Sequence, residues 1–248
     1  TSMEQVRNSP VSQEKVRKAI NYGFNRKKMM KYLRNNIGTP ATQGFLPKGL
    51  PAFSPDSVTG YTYDPDKARM LLKEAGYPNG EGLEEITLTT TDDYRDLCEF
   101  IQHQLSEIGI EIAIEISTGA TFRDMVANSK LLFFRGSWIA DYPEAENYLA
   151  LFYSKNFSPG GPNYTHFNNP HYDSLYEEAL NTLNPAKRQN LYRQMDQMII
   201  RHAPIVPLYY DQVVRFTHNH IKNLGSNPMN LLVLKHVKKR PNHATHSR

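Results

Sequence analysis

Between Ile86 and Phe134 the chain alternates strand-like and helix-like segments with short connections, and few architectures accept that order. Ile86 to Thr91 (ITLTTT) is a run of β-branched residues and reads as a strand. From Asp92 to Ile108 the apolar residues Tyr94, Leu97, Cys98, Ile101, Leu105 and Ile108 recur at helical spacing. Gly109 stops that helix, and Ile110, Ile112, Ile114 and Ile116 then alternate with Glu111, Ala113 and Glu115 as a second strand. A short helix is expected over Phe122–Ser129 and a third strand over Leu131–Phe134. Strands separated by helices demand crossovers, so the fold class is α/β, with a mostly parallel sheet flanked by helices. Ligands of such sheets favour the crevice beyond the carboxyl ends of the strands. The segment Arg135–Pro143, just past the third strand, is therefore the first place to seek a site.

Helices surround this unit. One starts near Ser12 with Val16, Ala19, Ile20 and Phe24 as its apolar stripe, and a basic one runs over Arg26–Arg34. Residues 36–63 are dense in Gly and Pro and read as a long ordered loop anchored by Phe45, Phe53, Tyr61 and Tyr63. Asp64-Pro65, Asn169-Pro170 and Asn184-Pro185 are helix starts, a capping side chain followed by a proline that needs no amide bond. The second of these predicts Tyr172, Leu175, Tyr176, Ala179, Leu180 and Leu183 facing inward; the third predicts Leu191, Met195, Met198 and Ile199. Tyr148–Ser154 reads as helical and Ser158–Asn163 as a loop. Ile205–Tyr210, Val213–Thr217 and Leu231–Val237 are expected strands, followed by a loose end over Pro241–Arg248.

Other function classes find little support. The net charge is +4, and part of it sits in the solvated run Lys235–Arg240, so nucleic acid is not an expected partner. Cys98, the single cysteine, lies in a helical apolar stripe and reads as an inert core thiol. No stretch reaches the roughly 20 apolar residues that cross a bilayer, and Thr1–Glu4 carries no apolar leader segment. Nucleophile-elbow, phosphate-loop and zinc-helix motifs are missing, so no hydrolase or transferase chemistry is visible. His218 and His220 share a strand face, but no carboxylate or thiol lies near them in sequence, so solvated histidines are favoured over a metal pair. Asp92-Asp93 and Glu84-Glu85 sit where a helix dipole or strand start explains them.

Four segments together carry a resemblance: VRKAINYGFNR (Val16–Arg26), YDPDKARMLLKEAGYP (Tyr63–Pro78), GSWIADYP (Gly136–Pro143) and APIVPLYY (Ala203–Tyr210). In that order they resemble signatures of the oligopeptide/dipeptide class of ABC-transporter solute-binding proteins, extracellular family 5. The resemblance spans about Val16 to Leu234. It implies a periplasmic-binding-protein type II lobe, with residues 1–230 as a peptide-binding C-terminal lobe. Residues 231–240 would be a strand returning toward a missing N-terminal lobe, and 241–248 a flexible tail. Family members are two-lobed and close on their ligand by a hinge. The implied partners are short peptides, the ABC permease and the missing lobe; no cofactor is implied. The implied place is the periplasm, or the cell envelope through a lipoprotein anchor. Asp141 is implied as partner of the peptide α-ammonium and Arg135 as partner of its carboxylate. Trp138 would line a side-chain pocket, with Tyr142 and Asn147 beside it. Relatives that take nickel chelates, haem, sugars or opines keep another solute open, as does an interaction module without its own ligand.

Overall fold

The computed structural model describes residues 9–226 and 231–240, and its elements follow the sequence pattern closely up to Tyr210. After a 3-10 turn at Pro10–Ser12 come α1 (Glu14–Tyr22), α2 (Arg26–Leu33), β1 (Thr39–Pro40) and α3 (Pro65–Glu74). The α/β unit is β2 (Ile86–Thr91), α4 (Arg95–Ser106), β3 (Ile112–Ser117) and α5 (Gly119–Ala127). α6 (Ala145–Leu149), α7 (Pro170–Asn181) and α8 (Pro185–His202) form a helical layer. Short pairs β4 (Tyr209–Tyr210), β5 (Ile221–Lys222) and β6 (Lys238–Lys239) complete the list.

The expected proline-led starts are all present. Asp64 accepts from the amide of Lys67, Asn169 from those of His171 and Tyr172, and Asn184 from those of Ala186 and Lys187. Each cap satisfies amides that the first turn cannot pair internally.

β2 and β3 pair in parallel, from Ile86 opposite Ile112 to Thr91 opposite Ser117. On its other edge β2 meets residues 133–135: the Thr89 amide donates to Phe133, and the Arg135 amide donates to Thr89, both at 3.0 Å. The third strand thus shrinks to a single parallel bridge at Phe134, not the expected Leu131–Phe134. The end of α5 explains this. Ser129 takes a positive φ of 55° and the Lys130 amide turns back to Met125, so the chain reaches the sheet only at Phe133.

Two large apolar cores organise the body. One joins α1 to α4 with the sheet, through Val16, Phe24, Met29, Leu72, Leu105 and Ile110. The other joins the 36–63 loop to α6–α8, through Leu46, Phe152, Tyr172 and Met195. Cys98 is buried in the first, and burial raises its thiol pKa.

The first and fourth sequence signatures bond to each other. Arg17 donates to the carbonyls of Ala203 (2.9 Å) and His202 (2.8 Å), and Asn21 donates to Ile205 (3.1 Å). Arg26, also buried, donates to Pro207 at 2.6 Å and to Asn21 at 2.7 and 3.0 Å. Side chains of α1 and α2 therefore take the place of a neighbouring strand along 203–207. That is why only Tyr209–Tyr210 of the expected strand Ile205–Tyr210 pairs in a sheet, antiparallel to Thr39–Pro40.

Other expectations need correction. Leu180 and Leu183 are exposed, not inward: the buried stripe of α7 runs Tyr172, Leu175, Tyr176, Ala179, and the helix ends at Asn181 before Leu183 is reached. Val213–Thr217 and Leu231–Val237 form no strands; the pairing there is Ile221–Lys222 with Lys238–Lys239. A strand needs a neighbouring strand for its amides, and among the described residues no strand pairing includes these two segments. The expected tail at 241–248 lies outside the described residues. His218 and His220 stack ring on ring with centroids 5.2 Å apart, and among the described residues no group of three potential metal ligands exists.

Candidate functional site

The segment 135–143 leaves the sheet at the carboxyl ends of the parallel strands, where the fold places ligands. Gly136, Ser137 and Ile139 are exposed along it, whereas Trp138 turns in and packs on the helical core. The Trp138 indole Nε1 donates to Asn147 Oδ1 at 2.8 Å. The Asp141 amide donates weakly to the same oxygen at 3.4 Å. Asn147 is buried on α6, which is seated by Ala145 and Leu149 in the second core. One buried amide thus fixes both the Trp138 indole and the backbone at Asp141.

The Asp141 side chain is exposed, and among the described residues its carboxylate takes no hydrogen bond or ion pair. It does not cap the following helix either, since α6 begins after Glu144. Tyr142 lies alongside, its hydroxyl donating to Glu146, which also accepts from the Tyr176 hydroxyl. Those bonds hold both phenols protonated: the contact with Glu146 leads for Tyr142, and burial leads for Tyr176.

Arg135 belongs to a different group of side chains. Its guanidinium carbon lies 3.3 Å from the centre of the Tyr94 ring, a close cation–π stack, and one terminal nitrogen reaches the Tyr209 hydroxyl at 3.4 Å. It makes no ion pair among the described residues, and its Nε is buried without a hydrogen-bond partner. So Trp138, Asp141, Tyr142 and Asn147 are gathered at the start of α6, while Arg135 stands apart against Tyr94 and β4. Sequence reasoning missed Tyr94, Tyr209, Glu146 and Tyr176. Glu146 lies before the helix expected at Tyr148–Ser154, and Tyr209 reaches Arg135 only through the tertiary fold.

The fold and this segment define one lobe of the periplasmic-binding-protein type II class. The model of the bacterial extracellular solute-binding proteins, family 5 (middle region), matches residues 3–160, and the chain belongs to that family. It is 32% identical over 225 residues to the glutathione-binding protein GsiB of Shigella flexneri serotype 5b, covering 88% of this chain and 43% of the relative. A dipeptide-binding protein of Pseudoalteromonas sp. SM9913, solved with Met-Leu, superposes with a TM-score of 0.77 at 25% identity, over 92% of this chain and 46% of that one. The periplasmic protein DppA of Helicobacter pylori, solved with the peptide STSA, gives 0.74 at 26%, over 81% and 39%. The chain therefore spans less than half the length of each of these relatives. Among the described residues no helix is long and apolar enough to cross a membrane.

Proposed function

We propose that this chain forms one lobe of a substrate-binding protein that captures short peptides for import through an ABC permease. The observation that carries this reading is the Asp141 carboxylate. It is exposed, unpaired among the described residues, and set on a segment that a partly buried Trp138–Asn147 hydrogen bond holds still. A carboxylate poised in this way suits a peptide α-ammonium, and the bond strengthens as closure expels water. Trp138 and the exposed Ile139 offer apolar surface to side chains, while Arg135 offers a planar fork to a carboxylate. The relatives named for glutathione, Met-Leu and STSA all concern short peptides, which supports the same ligand class.

In this reading the second jaw comes from polypeptide outside the chain, and the two lobes close by a hinge. The lobe occupies residues 1–230, and 231–240 return toward the other lobe. The protein acts by binding, without cofactor or catalysis, in the periplasm or held at the cell envelope. Native mass spectrometry of wild type and Asp141→Ala tests it. Co-purified peptides on the wild type, lost in the variant, are expected. A wild type that stays empty even when a second lobe is supplied would sink the peptide assignment.

A second reading has its own observation. Leu231 to Leu234 are all more than half exposed, an apolar stretch suited to an interaction module without a ligand. It predicts partner binding that is indifferent to Asp141→Ala.

A further inference from the structure

A second guanidinium shares Tyr209 with Arg135. Arg34, at the end of α2, places its guanidinium carbon 5.0 Å from the centre of the Tyr209 ring, while Arg135 meets the same residue at its hydroxyl. Arg34 is oriented by Asp211, to which its Nη2 donates at 2.9 Å, and Asp211 is itself well exposed. In both arginines the Nε is buried and has no hydrogen-bond partner. An incoming acceptor must therefore meet their terminal nitrogens, of which Nη1 makes no hydrogen bond in either arginine among the described residues. Of the two guanidiniums, only Arg34 pairs with a carboxylate among the described residues. The stack on Tyr94 fixes the plane of Arg135, and the Asp211 bond fixes Arg34, so both forks are held before any ligand arrives.

Resting on the peptide-capture reading above, we propose that Arg34 and Arg135, both against Tyr209, form a subsite for a dianion that selects short peptides carrying a carboxylate beyond their terminal one. Arg135 takes one carboxylate and Arg34 the other. A guanidinium suits this role because its fork matches a carboxylate and its charge persists at any physiological pH. A neutral side chain in place of the second carboxylate leaves Arg34 with Asp211 as its ionic partner and adds no charge-assisted bond, so affinity falls.

The arginine Nε–H signals of the 15N-labelled chain report on this directly. We would titrate the 248-residue chain with Ala-Ala-Glu and with Ala-Ala-Gln, which differ only in the second carboxylate. The expected result is a preference of about tenfold for the Glu peptide, with the Arg34 and Arg135 Nε–H signals both moving. Arg34→Gln, checked as folded by its backbone amide spectrum, should erase the preference and leave the Gln peptide unaffected. Arg34→Lys, which keeps the charge without the fork, should retain part of it. Equal affinity for the two peptides, or a preference that survives Arg34→Gln, would overturn the subsite while leaving peptide capture intact. No response to either peptide, even with a second lobe supplied, would overturn both together.

Discussion

Most large apolar side chains of residues 10–210 pack into cores, whereas beyond residue 210 Val213, Val214, Phe216 and Leu231–Leu234 face solvent. The two regions do not differ much in apolar character. They differ in whether anything stands opposite. Helices α1–α8 satisfy their own backbone and need only a surface on which to lay a stripe. The strands expected at Val213–Thr217 and Leu231–Val237 would need a partner for backbone and side chain alike, and they do not form; among the described residues the pairing beyond Tyr210 joins Ile221–Lys222 to Lys238–Lys239. Foldability from pattern alone therefore holds for elements that pair locally and fails for those that wait on a distant neighbour.

The comparison is sharpest between two phenylalanines, Phe152 at 1% exposure and Phe216 at 93%. Phe152 sits in the helical core against Phe45, Phe167 and Tyr172 in edge-to-face contacts. Phe152→Ala should lower unfolding free energy by about 3–5 kcal/mol in urea titrations. A loss under about 1 kcal/mol would mean that this core is loosely packed and that the contrast between the regions is overstated.

Arg26 stands near the end of the body, because its hydrogen bonds to Pro207 and Asn21 hold the chain just before the short β1–β4 pair at Tyr209–Tyr210. Burial works against its charge, and those oxygens offset the cost. Arg26→Gln cannot span to Pro207 and leaves buried carbonyls unpaired, so a loss of about 2–4 kcal/mol is expected. Hydrogen exchange should show faster amides over 208–210, extending the loose region backward. Unchanged protection there would show that β1–β4 pairing alone defines the boundary.

Asp196 tests the body through pH. On α8 its Oδ1 accepts from the Phe45 amide at 2.7 Å, locking the long loop onto the helix, and Gly44 is required there because a Cβ would come within 2.5 Å of Oδ2. Burial nonetheless pushes the carboxyl up to about 7, against the two backbone bonds that lower it. A carboxyl raised in the folded state favours folding most below its unfolded value, and that contribution fades as pH rises through about 4 to 7. Asp196→Asn keeps an acceptor for Phe45 and cannot ionise. Wild type should therefore lose about 2 kcal/mol relative to this variant between pH 5 and 8. Parallel pH profiles of the two proteins would show that Asp196 is already charged in the fold.

How much of this was legible in the sequence follows the same division. The starts at Asp64, Asn169 and Asn184 were readable because cap and helix are neighbours in the chain. Trp138 and Asn147 were readable as site neighbours, nine residues apart. The partners of Arg17 and Arg26 lie about 180 residues downstream, so the signatures at Val16–Arg26 and Ala203–Tyr210 could be matched without seeing that they clasp one another. For the same reason Arg135 was chosen as a carboxylate partner, while Tyr94, Tyr209 and Arg34 around it were not. Asp196 gave no signal, since a polar residue on an amphipathic helix ordinarily faces water.

The smallest expected effect is the most telling for the arm. Phe216 lines a shallow apolar hollow with Ile221, Leu224, Leu232 and Leu234, yet almost all of its ring meets solvent. Phe216→Ser should therefore change the stability of the 248-residue chain by no more than about 0.5 kcal/mol, in contrast to the same ring at position 152. If the arm is covered by a second lobe in the assembled protein, the substitution should weaken that association while leaving the chain itself as stable as before. A fall of more than about 1 kcal/mol in the chain alone would place Phe216 against the body in solution, and the difference between the two regions would then be one of degree.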